Sequence, residues 1–133
     1  MGKPAEHKAK AEHHYVFLER IPDEFPDWLA TVAFYTAVEL IEKLFAERGF
    51  HSRSHEDRNR NVIKQFPSIH PAYKALYNAS MNARYESMEH WLTTQEVRTE
   101  LIAKRLSHIR SFVTSPGRAS RSRLGGAKPK RKK

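Results

Sequence analysis

The chain of 133 residues has no cysteine. That excludes a disulfide framework, a thiolate zinc site and a cysteine nucleophile. No apolar run approaches the roughly 18 residues that a membrane-crossing helix needs. The first residues, MGKPAEHKAKAEHH, lack the apolar stretch of a secretory signal. Glu6 stands where a myristoylation pattern following Gly2 requires Ser or Thr. No segment alternates polar and apolar residues over a strand's length, and no internal repeat is visible. Walker loops, other glycine-rich phosphate loops and a Ser-His-Asp order are also missing. These absences point to an α-helical protein without a nucleotide-binding loop, and the lack of cysteine suits a cytoplasmic setting.

Acid is missing from one part of the chain. Arg118, Arg121, Arg123, Lys128, Lys130, Arg131, Lys132 and Lys133 fall in the last 16 positions, with no Asp or Glu among them. The formal charge of +9 therefore describes the tail more than the rest. The other 117 residues carry 16 basic and 15 acidic side chains. Gly, Ser and Pro interrupt the tail's charges and almost nothing apolar accompanies them, so residues 116–133 are expected to be disordered. Eight cations would bind phosphate backbones, RNA above all, without reading sequence and with steep salt dependence. Residues 1–115 hold the apolar content for one modest core.

The body reads as an all-α, up-and-down bundle of about five helices. The first spans roughly Ala5 to Glu19. Pro22 and Pro26 then bracket a turn. A central helix is predicted over Asp27–Arg48, with Asp27 as N-cap and Gly49 as its stop. Trp28, Val32, Tyr35, Val38, Ile41 and Phe45 mark its buried stripe, and Phe34, Leu40 and Leu44 widen it. Ser54 and Asp57 read as a capping box for a short helix ending at Pro67. Ser68 is predicted to cap the next helix, with Pro71 in its first turn. Thr93 and Glu96 form another box, opening a last helix with Val97, Leu101, Leu106, Ile109 and Val113 at its core.

Several residues bear on chemistry. His55 and Arg58 lie one helical turn apart beside a helix start, where backbone N–H groups favour anions. The alternative is that His55, Glu56 and Asp57 only cap and solvate that start. Arg84 can reach a cleft together with His90, or pair with Glu39 or Glu42 and fix one helix against another. The second of these is the expectation. Tyr35, Tyr73, Tyr77 and Tyr85 are expected in the core rather than stacked on bases. His7, His13 and His14 suit a solvated helix better than a metal site. No metal or cofactor is implied.

The order Asp27-Trp28, Ala33-Phe34-Tyr35-Thr36-Ala37, the turn His51-Ser52-Arg53-Ser54-His55 with Arg58, and Ala83-Arg84-Tyr85 resembles the HEPN superfamily of small helical bundles. The resemblance spans roughly Ala11 to Phe112. It implies an up-and-down bundle that homodimerises through its long helices, and a link to RNA in prokaryotic defence or toxin–antitoxin biology. For active members it implies metal-independent RNA cleavage by an Arg, then four to six residues, then a His. Here Arg84 with His90, or Arg48 with His55 and Arg58, would carry that chemistry. The His acts as acid or base and the Arg stabilises the phosphate charge. The tighter form Arg-Asn-x-x-x-His is absent, and Glu39 stands where many members carry a His in the first long helix. A non-enzymatic scaffold that binds another protein is the remaining reading.

Overall fold

The computed structural model describes residues 2–87 and 91–115, and no strand occurs among them. They form five helices: α1 Pro4–Arg20, α2 Pro26–Glu47, α3 His55–Gln65, α4 His70–Tyr85 and a last helix, α5, in three consecutive stretches. Those stretches are Thr94–Glu96, a π-helical Val97–Leu106, and Ser107–Thr114. None of these helices is long and apolar enough to cross a membrane. His90 and the basic residues from Arg118 onward lie outside the described residues.

α2 is the central element. It packs against α1, α4 and α5. Leu29, Ala33, Phe34, Ala37, Ile41 and Phe45 are fully buried along it. Leu29, Ala33, Ala37, Ile41 and Phe45 recur every four positions, and buried Ala30, Phe34, Val38, Leu40 and Leu44 widen that row, which requires partners on several sides. Trp28 departs from the predicted stripe and is 55% exposed. It sits in the first turn of α2, beside the fully buried Leu29.

The starts and stops explain most of the boundaries. Pro26 opens α2, with Phe25 in the cap position, so Asp27 is a first-turn acid and not the N-cap. Proline needs no hydrogen-bond partner there, and Asp27 complements the positive end of the helix. Gly49 ends α2 with φ of +75°, a conformation other residues resist. Ser54 caps α3 as predicted, accepting from Asp57 N at 3.0 Å. Asp57 reaches back one residue further than a standard box and accepts from Arg53 N at 3.0 Å. Ser68 does not cap α4; Pro67–Ile69 forms a 3-10 turn and Ile69 takes the cap position. Thr93 and Glu96 make both bonds of the box that opens α5.

The π stretch gives physical meaning to an irregular spacing. Val97, Leu101 and Leu106 are all buried although the last two are five apart. Five residues in an ordinary α-helix would turn Leu106 far from Leu101. Bonds from i to i+5 widen the turn and return Leu106 to the core side. Ser107 N closes the stretch by donating to Ile102 O.

Candidate functional site

One side of the bundle brings together polar residues from α2, α3 and α4 over an aromatic floor. Phe34 of α2 is fully buried, and its ring lies 5.8 Å from those of His55 and Tyr73 and 5.6 Å from that of Tyr77. Tyr73 is buried, Tyr35 and Tyr77 are half-buried, and Tyr85 is 70% exposed. Three of the four tyrosines thus join the packing as expected. Tyr85, the last residue of α4, does not.

Arg58 organises the α3 side. Its Nε donates to Glu42 Oε2 at 2.8 Å, and the two side chains are only 13% and 10% exposed. Its NH1 lies 2.8 Å from His55 Nδ1. A guanidinium can only donate, so Nδ1 must accept. The neutral ring then carries its proton on Nε2. Burial, followed by the charges of Arg58 and Arg84, holds the His55 pKa below its ordinary value. His55 is therefore a neutral imidazole with Nε2–H as its remaining donor.

Arg84 completes the group from α4. Its Nε donates to Ser80 O at 3.2 Å and its NH1 to Tyr35 Oη at 3.0 Å. The guanidinium lies 5.6 Å from the Tyr35 ring centre and 5.5 Å from that of Tyr85. The expected pairing with Glu39 or Glu42 does not form. Glu39 takes His7 Nδ1 at 2.8 Å and Lys10 at 3.7 Å, while Glu42 takes Arg58. Among the described residues no carboxylate lies within ion-pair distance of Arg84. Among the described residues its charge meets neutral acceptors and two aromatic rings.

The structure thus joins residues that the sequence placed in separate pairs. His55, bonded to Arg58, lies within electrostatic reach of Arg84. Arg48 does not join them: its guanidinium donates to Gln65 at 3.0 Å and lies 4.6 Å from the Phe66 ring centre. Gln65 ends α3 and His55 begins it, about 15 Å apart along the helix. Glu42 and Phe34 were not singled out as site residues, because contacts 16 and 21 positions apart leave no local spacing to read. A Glu set among the apolar residues of the central helix was the available signal, since a buried carboxylate demands a cation.

No protein-family model, curated protein or solved structure matches the chain.

Proposed function

We propose that this chain is a HEPN-like helical module that homodimerises and binds RNA through Arg84 and His55 on its body and through the cations of residues 118–133. The observation that carries this reading is Arg84: a cation with no carboxylate partner among the described residues, held against the Tyr35 and Tyr85 rings, whose charge reaches the neutral His55. Such a set offers donors and charge to a phosphate and a ring face to a base. Tyr85, exposed next to Arg84, is the ring best placed for stacking. The resemblance described above supports a cytoplasmic role in defence or toxin–antitoxin biology.

A second reading, metal-independent endoribonuclease, draws on the lowered pKa of His55, which keeps the imidazole neutral near pH 7 as a general base requires. Binding without cleavage is preferred, because Arg58 occupies the one basic nitrogen of that ring. Cleavage by His55 would need this bond to break.

Titrating labelled single-stranded RNA against the unaltered chain and Arg84→Ala, in EDTA, tests both readings. The expected result is binding without strand scission, weakened at least several-fold in the variant. Scission that disappears in His55→Ala establishes the enzyme instead. Absence of binding leaves the protein-binding scaffold.

A further inference from the structure

A second cationic surface lies away from the Arg84 cluster. After Glu100 the sequence has no further Asp or Glu in 33 residues, and it has 11 Lys and Arg. The acid-free run therefore begins inside the fold, in the π stretch of α5. Lys104, Arg105 and His108 project from that region into an open groove of about 390 Å³, whose opposite wall is Ser68, Pro71 and Ala72 at the start of α4. Lys104 and His108 are exposed and Arg105 is half-exposed. His108 Nε2 lies 3.4 Å from Ser68 O and so donates across the groove.

Glu100 tempers the charge. It lies 3.1 Å from Arg105 and 3.7 Å from Lys104. One carboxylate against two cations leaves the group positive, and exposed pairs of this kind bind weakly enough to exchange for another anion.

We infer that the groove between the second half of α5 and the start of α4 is a binding track for the phosphate backbone of single-stranded RNA, with Lys104 and Arg105 as its phosphate contacts and Glu100 as the anion that RNA displaces. The inference rests on the RNA-binding reading above and adds a contact surface to it. Two phosphate contacts on a single strand account for about 1.4 units of salt slope.

The test uses the full chain and a labelled oligouridine of about 20 nucleotides, titrated at several salt concentrations. Lys104→Gln/Arg105→Gln is expected to lower the slope of log affinity against log salt by about 1.4 and to weaken binding at low salt. Glu100→Gln is expected to shift affinity the opposite way, tightening binding, because it removes the competing anion. An unchanged slope in the double variant, with an unchanged circular dichroism spectrum, overturns the inference. If the double variant unfolds, Glu100→Gln decides alone: binding no tighter than that of the unaltered chain rejects the track. A slope sensitive to Arg84→Ala and insensitive to the groove variants removes the track and keeps the Arg84 site. No binding by the unaltered chain removes both.

Discussion

Arg58 serves two partners at once, and its loss should be felt in both stability and chemistry. The Glu42–Arg58 pair is largely withdrawn from water. Breaking such a pair leaves one charge buried and uncompensated, which costs about 3 kcal/mol. Arg58→Ala is expected to lower the free energy of urea unfolding by about that amount, and Glu42→Ala/Arg58→Ala by less than the sum of the single changes. A loss below about 1 kcal/mol in Arg58→Ala would show that the pair is solvated. A pH effect follows from three histidines. Burial is the first cause that lowers the pKa of His14, His55 and His70. Each is harder to protonate in the fold than in the unfolded chain, where the value is about 6.5. Below that pH the unfolded chain binds more protons, so stability falls as pH drops from about 6.5 through the folded-state values. Melting temperature measured from pH 7.5 to 5 should decline, and replacing His55 with Gln should flatten the decline. At this scale the sequence was informative about which residue types matter and silent about their partners. His55 and Arg58 share a turn of helix, so their proximity was legible. The partners of Arg84 depend on how α4 crosses α2, and no periodicity records that.

At the scale of elements, local chemistry was a good guide wherever a single residue type dictates a boundary. Gly49 stops α2 because the chain must take φ of +75° there. A Cβ at that position would meet nothing within 4 Å, so the cost of Gly49→Ala is conformational rather than steric. Thermal or urea unfolding should report a loss of about 1 kcal/mol. Ser54→Ala should cost about 1 kcal/mol as well, through the lost cap on α3. Substituting Ser68 should cost clearly less, since it caps nothing. Where two signals compete, sequence gave the wrong residue. Asp27 and Pro26 both mark a helix start, and proline's fixed φ placed it one position earlier. Ser68 lost to Pro67, which began a 3-10 turn before α4 could form.

For the whole molecule, the division of charge and of apolar surface makes separable predictions. Val16, Phe17, Phe25, Trp28 and Leu92 are large, exposed and close to the α1–α2 turn or the start of α5. Asp23 of that turn binds Arg98, and its backbone oxygen accepts from Thr94, so these elements share one end of the bundle. Apolar surface gathered in this way favours self-association. Light scattering at tens of micromolar, as an order of concentration, should report a dimer. A monomer at that concentration would count against the pairing. Deleting Arg118–Lys133 should leave the melting temperature nearly unchanged, since Leu124 is the segment's one large apolar side chain. RNA affinity at low salt should fall by orders of magnitude and its salt slope should flatten. Affinity retained in the truncated chain would shift the contacts to Arg84 and the α5 groove. The bundle and its central helix were legible because burial imposes period and breadth on sequence. The gathering of exposed rings at one end was not, since it depends on which helix ends meet.

The widened turn of α5 has a consequence for how this gene can change. Losing one residue from an α-helix rotates everything downstream by about 100° and pulls it back by 1.5 Å. In α2, buried on several sides, removing Ala37 would misplace Ile41 and Phe45 together, and the protein should not accumulate folded. The stretch Val97–Leu106 already holds more backbone per turn than an α-helix does. Removing the exposed Ala103 would let that slack close into regular α-helix, bringing Leu101 and Leu106 to the ordinary spacing of four. Expression and melting of the two single-residue deletions should differ sharply. The last helix would then be the place in this chain where length, and not only residue identity, is open to drift.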